Sequence, residues 1–166
     1  VYENENYTLI GETDGFLVKR QPYTTYGKSV SVDTLKELVT NITLDTVVVL
    51  DRLEKNKVFV LNNIYFDLDK SDIRPDAARE LDKLVALLND NPEIKIEMSS
   101  HTDSIASQSY NLQLSQRRAE STVAYLIRKR ISADRLVAKR YGETRPIARN
   151  TNQDGTDKPK GRQRNR

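Results

Sequence analysis

Ile94-Lys95-Ile96-Glu97-Met98-Ser99-Ser100-His101-Thr102-Asp103 opens as a strand and closes on a carboxylate. Ile94, Ile96 and Met98 alternate with Lys95 and Glu97, the period of a strand with one covered face. A helical pattern follows from about Ser107 to Arg130, with Ala119, Val123, Leu126 and Ile127 facing inward. Leu136-Val137-Ala138-Lys139-Arg140-Tyr141 is extended again. Two neighbouring strands joined through a helix run parallel, because a tight turn cannot join parallel strands.

Upstream, Pro75 fits the first turn of another helix. Leu81, Leu84, Val85 and Leu88 give it one apolar stripe, and Asn89-Asp90-Asn91-Pro92 stops it. Before it, Val58 to Leu61 and Ile64 to Phe66 form an extended run with a bulge expected at Asn62-Asn63. Asp67 to Arg74 reads as a polar loop, and Gly142 to Gly161 as a second one. The order is β-α-β-α-β, and the expected fold class is α/β, a two-layer sandwich.

Residues 1–53 form a separate β-rich segment. Tyr7-Thr8-Leu9-Ile10 and Gly15-Phe16-Leu17-Val18 are short strand-like runs joined by the turn Glu12-Thr13-Asp14-Gly15. Leu44 to Leu50 reads as a further strand, and Ser31 to Leu38 as a brief helical turn or irregular connection. The segment is expected to be the trailing part of a β-sandwich cut at Val1. The charged stretch Asp51 to Lys57 is the junction, with the second domain spanning 54–166.

The chain has 166 residues, 37% hydrophobic and 31% charged, enough for one core and a smaller attachment. No apolar run approaches the roughly 18 residues that span a membrane. The absence of cysteine excludes disulfides and thiolate chemistry, and a single His excludes a histidine-rich metal site. The net charge is +3, with Lys158, Lys160, Arg162, Arg164 and Arg166 near the end. A basic tail can grip phosphates, but no aromatic residues are interleaved for base stacking, so no nucleic-acid partner is assigned.

Asp103 at a strand end and Arg118 on the next helix are the candidate site. Asn111, Leu114, Ser115 and Arg118 fall at i, i+3, i+4 and i+7 and share one helix face. That face can point toward Thr102 and Asp103. Two readings stand side by side. One is an Asp103–Arg118 salt bridge that fastens helix to strand in a protein-interaction domain. The other is a pocket whose two charges meet a zwitterionic ligand. Asp67 to Asp72 resembles a calcium loop, but Asp72 stands where that loop needs Gly and Ala78 where it needs Glu, so no metal is assigned. A hydrolase built on His101 and its neighbouring serines lacks a Gly-x-Ser-x-Gly elbow, and adjacent strand residues face opposite ways. His101 is expected to be a hydrogen-bonded packing residue. No catalytic residues and no cofactor are assigned.

Four pieces in register resemble the OmpA-like domain family (the C-terminal domain of outer membrane protein A). They are Ile64-Tyr65-Phe66-Asp67-Leu68-Asp69; Ile94-Lys95-Ile96-Glu97 with His101-Thr102-Asp103; Asn111-Leu112-Gln113-Leu114-Ser115-Gln116-Arg117-Arg118-Ala119; and Tyr141-Gly142-Glu143 with Pro146-Ile147-Ala148. The resemblance implies non-covalent binding of peptidoglycan, without catalysis. It implies that Asp103 receives the side-chain ammonium of the stem peptide's diaminopimelate and Arg118 the adjacent carboxylate. Asn111 and Leu114 would line the pocket, with Ser115 on the same face, and Thr102 and the Asp67-Leu68 loop would add contacts.

The implied location is the periplasm, in association with the outer membrane. The implied partners are peptidoglycan and the proteins of an envelope or secretion assembly. Ser100 departs from the family, which has Gly there. The family also closes on a strand opening Arg-Arg-x-Glu, and this chain is expected to lack it. The first segment is similar to the closing strands of carboxypeptidase-regulatory-like β-sandwich modules, which precede OmpA-like domains in envelope proteins of Bacteroidetes-type bacteria.

Overall fold

The computed structural model describes residues 4–28, 44–146 and 148–165. The helical turn expected at Ser31 to Leu38 and the Ile147 position of the fourth matched piece lie outside them. The chain divides into two compact units, residues 1–58 and 59–166.

In the first unit, β1 (Asn6–Gly11) pairs antiparallel with β2 (Lys19–Thr24), with Tyr7 opposite Tyr23. The turn at Asp14-Gly15 forms where expected: Phe16 N–H donates to Thr13 O at 3.2 Å, and Gly15 takes φ +80°, which a glycine adopts without strain. The partner strand differs from the expected Gly15 to Val18, because the connection runs on and the ladder begins at Lys19. The Leu44 to Leu50 run is not a regular strand. Its neighbourhood pairs through one bridge, Phe16 to Arg52, flanked by Leu17 N–H to Asp51 O and Leu53 N–H to Gly15 O, both 2.8 Å.

In the second unit, α1 (Pro75–Asp90) starts on Pro and buries Ala77, Leu81 and Leu88. Pro suits that start because its missing N–H would have had no partner in the first turn. β3 (Ile96–His101) pairs parallel with β4 (Leu136–Gly142), and α2 (Gln108–Arg128) crosses between them and packs on both. The Ser107 hydroxyl caps α2 by accepting the Tyr110 N–H. Arg130 ends it in the left-handed region at φ +71°, with Ile131 N–H returning to Leu126 O at 3.1 Å and Arg130 N–H to Ile127 O at 2.9 Å. This closure satisfies the last carbonyls and drives Ile131 into the core. The core is Leu88, Met98, Leu126, Ile131 and Leu136, so both helices and both strands contribute, and a chain of this composition is a mixed α/β fold.

Three expectations need correction. The run from Val58 to Phe66 forms no ladder, and Val58 is 86% exposed. Instead of a bulge at Asn62-Asn63 there is a turn with Asn63 at φ +66°, a conformation that interrupts the two-residue period of a strand. Ile127 is 43% exposed, since Ala119, Thr122 and Leu126 make the buried stripe. A short helix, α3 (Pro159–Arg164), occupies part of the stretch read as loop.

Arg135 ties the end of α1 to the start of β4. Its Nε donates to Ile94 O at 2.9 Å, and its Nη2 donates to Leu88 O at 2.9 Å and Asn91 O at 2.8 Å. These carbonyls leave the helix end and the following turn with no other helical donor. Arg135→Ala should cost about 1.5–3 kcal/mol of stability in urea unfolding, the range for hydrogen bonds to a charged donor. Arg135→Lys should recover a minor part, because a single ammonium cannot reproduce the planar fork.

Candidate functional site

The site is built where the C-terminal ends of β3 and β4 meet the first half of α2. The register shifts between Ser100 and His101, where Ser100 pairs with Arg140 and His101 with Gly142, so that Tyr141 is the extra residue on β4. Thr102 follows, its N–H donating to Gly142 O at 3.0 Å across the strand ends. Gly142 N–H in turn donates to Ser115 Oγ at 3.0 Å, and Ser115 Oγ donates to Leu112 O at 3.0 Å. Gly142 has φ +51°, and a Cβ there would stand 3.1 Å from Leu112 N on the α2 backbone. Both the conformation and the space therefore favour glycine.

Asn111 joins three segments. Its Nδ2 donates to Asp103 O at 3.0 Å, Ala106 O at 3.1 Å and Glu143 Oε2 at 2.8 Å. Arg118 is held from the other side. Its Nε donates to Lys70 O at 3.0 Å and its Nη2 to Asp67 O at 3.3 Å, with Phe66 beneath the guanidinium at 5.0 Å. Asp103 is 8% exposed and Arg118 2%, so both charges lie in surroundings where electrostatic interactions are strengthened.

Of the sequence-derived candidates, Thr102, Asp103, Asn111, Leu114, Ser115 and Arg118 are all buried. On α2, Arg118 belongs to one continuous buried stripe with Ala119 and Thr122. Asp67 contributes its carbonyl, while its carboxylate turns to Arg74 Nη1 at 2.8 Å. Leu68 is 77% exposed, with the loop pinned nearby by Tyr110 Oη donating to Asp69. The sequence reading did not place Glu143, Phe66 or the Lys70 carbonyl in the site. Glu143 carried a signal, since Tyr141-Gly142-Glu143 was already a matched piece. A backbone carbonyl carries none.

His101 packs as expected, its ring stacked on Tyr141 with centroids 5.6 Å apart. Its Nδ1 and the Thr102 hydroxyl are buried without a hydrogen-bond partner. Burial pushes the imidazole below its ordinary value, a backbone hydrogen bond with Arg145 opposes this, and the Arg145 charge adds to it. Among the described residues, no three of His, Asp and Glu stand together to hold a metal ion, and no helix is long and apolar enough to cross a membrane.

The OmpA family model matches residues 65–160. That match leaves the carboxypeptidase-regulatory-like resemblance of the first unit without support. The chain is 44% identical over 104 residues to Photosystem I P700 chlorophyll a apoprotein A2 of Gloeobacter violaceus, covering 63% of this chain and 12% of that protein. It is 37% identical over 100 residues to outer membrane protein A of Escherichia coli O157:H7, covering 58% of this chain and 29% of that protein. The chain thus spans under a third of the length of these relatives. Among solved structures it is similar to the cell wall anchor of the T6SS from Pseudomonas aeruginosa, at 25% identity and a TM-score of 0.51, covering 64% of this chain and 73% of that one.

Two outcomes follow from this geometry. Gly142→Ala should destabilise the fold by about 1–2 kcal/mol from the left-handed backbone alone, and by more if α2 cannot yield, as read by urea unfolding. For His101, the unfolded chain binds the proton more readily than the folded chain does. Its contribution is complete above about pH 6.5 and is lost as pH falls through the lower folded value. Stability should therefore decline as pH falls below about 6.5. His101→Phe should flatten that slope, because the chain has one His.

Proposed function

The chain belongs to the OmpA family, and from that premise we propose that residues 59–166 bind peptidoglycan without catalysis. The ligand is the diaminopimelate of the stem peptide. The role is to tether an outer-membrane protein or an envelope assembly, such as a secretion machine, to the cell wall in the periplasm. Asp103 receives the ligand's side-chain ammonium and Arg118 the neighbouring carboxylate. Asn111 and Leu114 line the pocket, Ser115 supports it from the same helix face, and Thr102 and the Asp67-Leu68 loop border it.

The observation that carries this reading is the burial of two opposite charges on neighbouring elements, Asp103 after β3 and Arg118 on α2, with the guanidinium oriented by backbone carbonyls. Asn111 grips the Asp103 carbonyl at 3.0 Å, and the carbonyls of Asp67 and Lys70 orient the Arg118 guanidinium. A guanidinium held in this way loses little side-chain freedom on binding. A ligand lacking one charge would leave a buried protein charge without its counterpart, and that asymmetry is the source of specificity. The likeness to a cell wall anchor at 25% identity supports the tethering role.

One observation favours a second reading. Two carbonyls already occupy Arg118 N–H groups, as a purely structural arginine would have them. Calorimetry with a diaminopimelate-containing muropeptide separates the two. Saturable binding without cleavage is expected, with Asp103→Asn and Arg118→Lys each weakening it at least ten-fold, or about 1.4 kcal/mol. A stem peptide carrying lysine in place of diaminopimelate lacks the extra carboxylate and should also bind more weakly. Full affinity in both variants would leave the structural reading.

A further inference from the structure

The Asn111 side chain has more acceptors than donors around it. Three oxygens, on Asp103, Ala106 and Glu143, lie within 3.1 Å of one nitrogen. A primary amide carries two hydrogens there, so at least one acceptor is incompletely served. The carboxylate is the acceptor with capacity to spare, since it offers about four lone-pair sites and the amide occupies one. Glu143 is also held in place. It follows Gly142, whose N–H is bound to Ser115 Oγ, whose carbonyl is bound to Thr102 N–H, and where a Cβ would stand 3.1 Å from the α2 backbone at Leu112 N. Its side chain is half-buried and approaches the turn after β3 from the side of β4.

We propose that Glu143 is a second specificity-determining carboxylate of the stem-peptide site. Its carboxylate and the main-chain carbonyl of Asp103 meet the same Asn111 nitrogen, which brings Glu143 to the turn that carries Asp103, and the ligand's primary ammonium would sit between the two carboxylates. This inference rests on the peptidoglycan reading and deepens it. Two carboxylates against one guanidinium favour a ligand whose side-chain nitrogen is free and charged. Acylation of that nitrogen, as in a cross-linked stem, removes the positive charge and two of its hydrogens, so the site discriminates free stems from cross-linked ones.

The test is calorimetric titration of the full chain and of Glu143→Gln with two ligands. One is a diaminopimelate muropeptide with a free side-chain amine; the other is the same muropeptide acetylated on that nitrogen. Glutamine keeps the size and an acceptor oxygen for Asn111 and deletes the charge. The expected result is about a three- to five-fold loss for the free amine, the scale of a partly exposed ion pair. No change is expected for the acetylated ligand. Equal losses on both ligands would point to a disturbed fold or a positioning role and would overturn the proposal. So would a Glu143→Gln variant that binds the free amine as tightly as the unaltered chain. In that case the peptidoglycan reading survives. No uptake of the free-amine ligand by the unaltered chain would remove both.

Discussion

The close approach of Gly142 to the α2 backbone is the constraint on which the site depends. Three hydrogen bonds converge there: Thr102 N–H to Gly142 O, Gly142 N–H to Ser115 Oγ, and Asn111 Nδ2 to Glu143. They lock the exits of two parallel strands to one helix. Gly142 and Ser115 are buried, so the bond between them would be costly to leave unmade. A side chain at residue 142 would strain the left-handed backbone and press on the α2 backbone at Leu112.

The second unit divides its interior by chemistry along α2. The C-terminal half of the helix packs Leu126 and Val123 in the core with Met98, Leu136 and Leu88 of α1, and burial of apolar area stabilises that end without directional demands. The N-terminal half buries Asn111, Ser115 and Arg118, which must each find a partner. A fold that invests in buried polar groups at one end gains little net stability from them, because desolvation offsets most of each interaction. What it gains is a fixed geometry for charge, which is the property a binding site needs. The apolar half supplies the stability that allows this.

Arg118 shows how the two halves are linked. It lies on the helix that packs against the core, yet its guanidinium reaches carbonyls at residues 67 and 70, in the loop before α1. That loop is itself shaped by Arg74 on Asp67 and Tyr110 on Asp69. Ligand contact at Arg118 would therefore be felt by the loop and by α1.

Much of this protein was legible in its residues. Period-two alternation at Ile94–Met98, the Leu81–Leu88 stripe and the Pro75 start identified β3 and α1, because local sterics and amphipathicity act over a few residues. The spacing of Asn111, Leu114, Ser115 and Arg118 placed one helix face, and the four matched pieces identified the family. Other features depended on groups distant in the chain. The apolar runs on either side of Asn62-Asn63 in Val58–Phe66 read as extended, yet a strand exists through its ladder partner, and the left-handed Asn63 interrupts the run. The burial of Arg118, the half-served acceptors around Asn111 and the place of Glu143 were decided by tertiary structure alone. They arise from backbone carbonyls and strand ends brought together over dozens of residues, and no side-chain pattern encodes where a carbonyl will point.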